Sequence, residues 1–488
     1  MPAEFARRHS PRRRTAVIGV LLWIATLGFF AWPSAGQAAE PSLAGPWQGT
    51  LKAGAVELRV VFRIVAADDG TLKATMDSPD QGAKGIPIDS ATREGNKLTL
   101  VARRIAGRYD GTLSDDGQRI AGTWQQAGQS FPLDLARLEK EPDLSRPQEP
   151  KKPYPYDEQE LTFENAADGV TLAGTLTRPK GVPPAAAVIL ISGSGAQDRD
   201  ETVLGHRPFL ILADYLTRRG IAVLRVDDRG VGGSTGSVTQ STSADLAGDV
   251  LAGVEALKQQ PGINPRRIGL IGHSEGAMIA ALAAARSPDV AFVVMLAGTG
   301  VPGDQIVLHQ GELIARAQKA GEARIAAAKV LQRQLFDIIR REPDDAKAVQ
   351  QIRAITVESD AYRAAPDEKS KEAIESQINA QAKVMLSPWF RFFLTFDPAT
   401  ALREVHCPVL ALTGEKDLQA APKQNLPPIA AALEQAGNRD VTIRELPGLN
   451  HLFQHCQTGS PVEYGKIDET FAPEALGQIA DWILERAK

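Results

Sequence analysis

In a chain of 488 residues there are two cysteines, Cys407 and Cys456. That scarcity excludes a disulfide-stapled fold, and no cysteines and histidines stand at zinc-site spacing. A single bridge is not expected either. Cys407 opens an apolar strand, and Cys456 follows a later strand, at the other end of the same sheet. A strand of six residues holds such ends about 20 Å apart, well outside bridging distance. Positive charge is also short. Lys and Arg number 55 against 59 Asp and Glu, a net charge of −4. Residues 1–38 hold five arginines and one glutamate, so without their +4 the rest of the chain carries −8. That balance excludes nucleic acid or an anionic membrane surface as a partner held by bulk charge.

One long apolar run does occur, from Ala16 to Trp32, and it contains no charge. Arg7, Arg8, Arg12, Arg13 and Arg14 precede it, and the small residues Pro33 to Ala39 follow. This is the pattern of a secretory signal peptide over residues 1–38, with cleavage expected after Ala38 or Ala39. The protein is therefore expected to be exported, to the periplasm or the cell exterior. The alternative is a retained anchor, for which the run is slightly short. Membrane contact is expected only through this segment, if it stays uncleaved.

Residues 41–138 read as a small antiparallel β domain. Leu58, Val60, Phe62 and Ile64 alternate onto one face, and 97–101 and 131–135 are further short runs. Asp68-Asp69-Gly70, Gly95-Asn96 and Asp115-Asp116-Gly117 punctuate them as hairpin turns. Prolines 142, 147, 150, 153 and 155 then mark residues 139–157 as an extended linker. Few contacts are expected to cross it, which would make the β domain a separable accessory.

From residue 159 to 488 apolar strands alternate with helices, as in an α/β fold whose mostly parallel sheet is covered on both faces. The strands are 187–191, 221–226, 267–271, 291–296, 409–413 and 441–446. Residues 300–395 interrupt the alternation with helical stripes such as Leu331, Leu335, Ile338 and Ile339, and so read as a helical cap. The cap ends in Pro388-Trp389-Phe390-Arg391-Phe392-Phe393, an aromatic cluster that suits either a core or a substrate-lining surface.

Gly272-His273-Ser274-Glu275-Gly276 lies between a strand and a small-residue helix. A Gly-x-Ser-x-Gly turn in that setting exposes the serine hydroxyl on strained backbone, and Ser274 is the candidate nucleophile. A serine near neutral pH needs a base, and the base needs an orienting acid. Asp417, just past the strand 409–413, fits the acid, and Glu415 sits too near the strand end. His451, in the loop after the last strand, fits the base. His455 is its rival, four residues on. His273 is expected to point away from the serine, and His206, His309 and His406 fall outside the loops concerned. The oxyanion needs two donors. They are expected to be the backbone N–H groups of Glu275 and of Ser194, in Ser192-Gly193-Ser194-Gly195. That segment lacks the third glycine of a nucleotide-binding loop, and the charges from Asp198 to Glu201 crowd it. No cofactor or metal is implied.

These motifs together resemble the α/β-hydrolase superfamily. Asp227-Asp228-Arg229-Gly230-Val231-Gly232-Gly233-Ser234 matches its Asp-x-Arg-Gly-x-Gly-x-Ser stretch. The segment 192–201, the Gly-His-Ser-Glu-Gly elbow, Gly414 to Gln419 and Asn450 to Gln454 are similar to the bacterial esterase D group. That group is itself related to serine aminopeptidase and prolyl oligopeptidase-like hydrolases. The resemblance covers about residues 159–488 and implies hydrolysis of small-molecule carboxylic esters by Ser274, Asp417 and His451. Where the superfamily often has His-Gly before the oxyanion donor, this chain has Ser192-Gly193. A peptidase using the same triad is the alternative, with Asp198, Asp200 and Glu201 as an anionic pocket for a substrate amine. An idle binding protein is a third reading, against which the complete triad argues.

Overall fold

A computed structural model describes residues 42–487 apart from 54–55, 68–70, 82, 127–128, 141–145, 358–361 and 363–367. The signal-peptide reading of 1–38, the turn at 68–70 and part of the linker lie outside the described residues.

Alternating side chains build the first sheet. Strands β1 (Gly45–Ala53), β2 (Val56–Ala66), β3 (Leu72–Ser78), β4 (Ala83–Pro87), β5 (Ser90–Glu94), β6 (Lys97–Ala102), β7 (Gly107–Leu113), β8 (Arg119–Gln126), β9 (Gln129–Pro132) and β10 (Leu135–Arg137) are all antiparallel. Strand β10 pairs with both β1 and β8, which closes the sheet on itself. Val60, Phe62 and Ile64 point into its core beside Trp47, Tyr109 and Trp124. The run expected at 131–135 is broken at Leu133 and Asp134. There the Asp134 carboxylate accepts the Gly122 N–H that a continuing ladder would use, at 3.1 Å, and beyond the break β10 gains β1 as a second partner beside β8.

The second sheet holds eight strands in the order β11-β12-β14-β13-β15-β16-β17-β18. It is mixed rather than purely parallel. The hairpin β11 (Tyr156–Asn165) and β12 (Val170–Pro179) runs antiparallel to its neighbours. Solvent-facing Glu158, Glu160 and Glu164 dilute the apolar pattern of β11, so this strand does not stand out in the sequence. The parallel part consists of β13 (Ala186–Ile191), β14 (Ile221–Val226), β15 (Ile268–His273), β16 (Val293–Leu296), β17 (Val409–Gly414) and β18 (Val441–Leu446). Its strands alternate between two cores. Ala187, Ile189 and Ile191 face α2 (Ser243–Lys258), α3 (Glu275–Arg286) and α10 (Pro422–Gln435). Ala186, Val188 and Leu190 face α1 (Pro208–Arg218) and α11 (Pro473–Arg486).

Between β16 and β17 the cap comprises α4 (Gly303–Ala317), α5 (Glu322–Arg341), α6 (Asp345–Val357), α7 (Glu368–Met385) and α8 (Pro388–Thr395), before the short α9 (Pro398–Leu402). It has a small core of its own, built on Phe336, Ile339, Ile352 and Leu394.

The expectation of few contacts across the linker is not met. Leu43–Lys488 forms one compact unit. Arg146 donates to the carbonyls of Leu204 at 3.0 Å and Ile467 at 2.5 Å. Gln148 accepts from the Thr470 and Phe471 amides and donates to the Phe471 carbonyl. The turn after β3, Pro79–Gln81, also packs directly on a turn of the second domain. A Cβ on Gly465, in the 3-10 turn Pro461–Lys466, would stand 2.6 Å from the Asp80 carbonyl oxygen.

Candidate active site

Ser274 occupies the one-residue turn between β15 and α3, at φ 55° and ψ −118°. Positive φ strains a non-glycine residue, and the turn is held from both sides. A Cβ on Gly272 would lie 2.1 Å from the Gly276 carbonyl oxygen, and one on Gly276 would lie 2.2 Å from that of Ile191. Only glycine permits packing this close. The first amide of the helix that follows has no intrahelical acceptor. Among the described residues neither the Glu275 N–H nor the Ser194 N–H donates to a protein group.

Asp417 and His451 come together from the loops after β17 and β18. His451 Nδ1 lies 2.8 Å from Asp417 Oδ2. Asp417 is 1% exposed, and its other oxygen accepts the N–H groups of Gln419 and Ala420, each at 2.8 Å. Glu415 instead accepts the Gly448 N–H. His455 is exposed, with its ring between Glu469 and Glu474 at 2.9 Å each. Ser274 and His451 line one cavity of about 490 Å³, with Ser194, Trp389, Phe390, Phe393 and Tyr464. The structure therefore brings three of the five proposed residues, Ser194, Ser274 and His451, onto this space, with Asp417 behind His451 and Glu275 directly after Ser274 in the chain. The aromatic cluster of the cap lines this cavity, and Phe390 and Phe393 also pack against the core under the sheet.

The loop after β13 is tied down by three carboxylates. Ser192 Oγ and the Gln197 N–H donate to Asp228, each at 2.8 Å. The Gly193 N–H donates to Glu201 at 2.8 Å, and Ser194 Oγ to Glu275 at 2.7 Å. Ser192, standing where the superfamily often has histidine, is thus an anchor of the loop. Burial pushes the Asp228 carboxyl up to about 7 against those two hydrogen bonds. Glu275 contributes more than its amide. Its side chain is 1% exposed and also accepts from Ser243 Oγ at 2.6 Å and from Trp389 Nε1 at 2.9 Å. It joins the elbow, the oxyanion loop, α2 and the cap. Burial holds its carboxyl above the usual range, opposed by those donors. The one signal for it in sequence is a charge placed just ahead of an apolar helix.

His273 was expected to face away. It is buried and lines the same cavity, with its ring centroid 4.8 Å from that of His451. Its Nδ1 meets Glu201 Oε1 at 2.9 Å. Asp200 is ion-paired with Arg207 and Arg225, and the Asp198 carboxylate accepts the Asp200 and Thr202 N–H groups. Neither lines the cavity. The Asp227–Arg229 stretch is structural: Asp227 pairs with Arg199 at 2.7 Å, and Arg229 pairs with Asp168 and Asp249. Cys407 and Cys456 are not bridged.

Residues 207–455 match the family model described as serine aminopeptidase, S33. The chain belongs to this family. It is thus a hydrolase of the α/β-hydrolase superfamily, in an esterase-like group. Its curated relatives include esterase EstD of Thermotoga maritima, 26% identical over 337 residues, which are 68% of this chain and 69% of that protein. Esterase FrsA of Yersinia enterocolitica is 36% identical over 135 residues, 27% of this chain and under a third of the relative's length, at 30%. Among solved structures, an esterase of Pyrococcus furiosus aligns with 68% of this chain and 91% of its own, at 18% identity and a TM-score of 0.41.

Proposed function

We propose that this hydrolase is an exported carboxylic ester hydrolase that works through a Ser274–His451–Asp417 triad and an acyl-enzyme. The observation that carries the reading is the shared cavity, onto which Ser274 and His451 both open while Asp417 engages His451 Nδ1. A carboxylate at Nδ1 keeps the proton there and leaves Nε2 as the lone-pair nitrogen, the base that a serine hydroxyl requires. Ser274 Oγ adds to the ester carbonyl carbon as His451 takes its proton. The oxyanion forms against the free amides of Glu275 and Ser194. Collapse expels the alcohol, which receives the proton from His451, and water then repeats the sequence on the acyl-enzyme.

The cavity walls support an ester over a peptide. Ile306, Val307, Trp389, Phe390 and Phe393 give it an apolar side, and Gln197, Gln310 and Gln419 a neutral polar one. An aminopeptidase needs a free anion for the substrate ammonium. Asp198 and Asp200 lie outside the cavity, and Glu201 is committed to His273 and the Gly193 amide. The family's name keeps the peptidase as the second reading. Export rests on the basic, apolar and small-residue succession in residues 1–39.

The test is turnover of a short-chain aryl ester beside an aminoacyl anilide, with wild type and Ser274→Ala. Ester turnover that disappears in the variant is expected. Preferential cleavage of the anilide would favour the peptidase, and ester turnover persisting in Ser274→Ala would remove the nucleophile.

A further inference from the structure

The mechanism above leaves His273 without a task, although it precedes the nucleophile and is buried. Both of its ring nitrogens face oxygens. Nε2 lies 2.9 Å from the carbonyl oxygen of His451, and Nδ1 lies 2.9 Å from Glu201 Oε1. A backbone carbonyl only accepts, so Nε2 carries a proton. A bare nitrogen lone pair facing a carboxylate at that distance would repel it, so a second proton lies between Nδ1 and Oε1. Imidazole and carboxyl together therefore hold two protons and are net neutral. Glu201 also takes the Gly193 N–H, and its backbone sits at φ 51°, a strained conformation for a non-glycine residue. Such strain persists where surrounding contacts over-determine it.

We propose that His273 and Glu201 act as a positioning pair: doubly protonated, they hold the loop of the base and the oxyanion loop in register with Ser274, and losing one proton at alkaline pH releases that register. The proposal rests on the reading of Ser274 as nucleophile and His451 as base. The pair bonds the backbone of His451 on one side and that of Gly193 on the other, and a Cβ on Gly193 would be 3.3 Å from Ser274 Cβ. Without the second proton, one of the two ring bonds becomes a repulsion, and one loop is freed.

The groups that face His273 are Glu201 from the loop after β13, Asp417 from the loop after β17 and His451 from the loop after β18. Asp228, on β14's loop, interacts with Glu201 in turn. Burial disfavours an imidazolium at position 273, but the Glu201 charge and its hydrogen bond, the His451 carbonyl and Asp417 outweigh it, so its proton is held above the ordinary value of 6.5. The sign follows. His451 must be deprotonated to act, which gives an acid limb. The pair must be protonated, which gives an alkaline limb.

The test is the rate at which an aryl fluorophosphonate labels Ser274 between about pH 6 and 10, in wild type, His273→Gln and Glu201→Gln. The wild type should lose rate on the alkaline side. His273→Gln should label roughly tenfold more slowly near neutrality, a modest misplacement of reacting groups, and should lack the alkaline fall. Glu201→Gln should shift that fall toward lower pH. A His273→Gln protein with the wild-type profile, or one that is slower with its alkaline fall intact, would overturn the proposal. Nitrogen-15 NMR of the Ser274→Ala protein, which needs no His273 variant to fold, should find His273 Nε2 protonated and a proton carried by Nδ1 or shared between it and Glu201 at neutral pH. An Nδ1 that neither carries a proton nor shares one with Glu201 would equally overturn it. Absence of Ser274 labelling in the wild type would instead sink the nucleophile reading, and the NMR spectrum would still decide the state of the pair.

Discussion

Replacing Asp417 by asparagine should disable the enzyme without unfolding it. Oδ1 of Asp417 accepts two backbone N–H groups, and Oδ2 faces His451 Nδ1. In Asp417→Asn the amide oxygen must stay on those two backbone donors. The reverse orientation would point an NH2 at them and leave buried donors unsatisfied, at about 1–3 kcal/mol each. The asparagine NH2 therefore faces His451, whose Nδ1 must give up its proton and accept. The proton moves to Nε2, and the imidazole can no longer take one from Ser274. The equivalent wrong tautomer in a serine protease lowers kcat about 10⁴-fold, which is roughly 5.5 kcal/mol of transition-state stabilisation. The measurement is kcat/KM on a short-chain aryl ester, with thermal unfolding as the control. A folded variant that keeps more than about one tenth of wild-type activity, within 1.4 kcal/mol, would refute the role of Asp417 as orienting acid.

His451→Ala should abolish ester turnover and His455→Ala should leave it nearly unchanged, because the His455 ring is exposed between Glu469 and Glu474; parallel assays of the two variants check this. Gly465→Ala should raise KM on bulky esters, since the new methyl collides with the Asp80 carbonyl and displaces the turn carrying the cavity residues Pro461 and Tyr464; unchanged kinetics would detach the β domain from the site. Stability should rise with pH between about 4 and 6.5 through His206. Burial lowers its value to about 4, so over that window the unfolded chain binds a proton that the folded chain excludes. Urea unfolding of wild type and His206→Gln across that range should show a shallower slope in the variant.

The parts of the site legible in sequence are those that short spacing dictates. The elbow needs glycines two residues either side of the serine, and both would collide as alanine. Asp417 and His451 follow the last two strands closely enough that the strand ends place them. The central parallel strands stood out because burial on both faces makes them largely apolar. The hairpin β11–β12 was hidden by its exposed face. The environment of His273, Glu201 and Glu275 was not legible, because their partners lie 72, 178, 81 and 114 positions away in the chain. A linker read from proline content looked free for the same reason. Arg146 finds its acceptors at Leu204 and Ile467, and neither is signalled by local composition.

The central claim is that Ser274 is the nucleophile of an acyl-enzyme. Its most direct test is incubation of the wild-type protein with an excess of aryl fluorophosphonate, followed by peptide mass spectrometry. The account predicts one adduct per chain, on the peptide containing Ser274, with ester hydrolysis lost in proportion to labelling. An adduct on any other residue, or full labelling of Ser274 with hydrolysis intact, would contradict it.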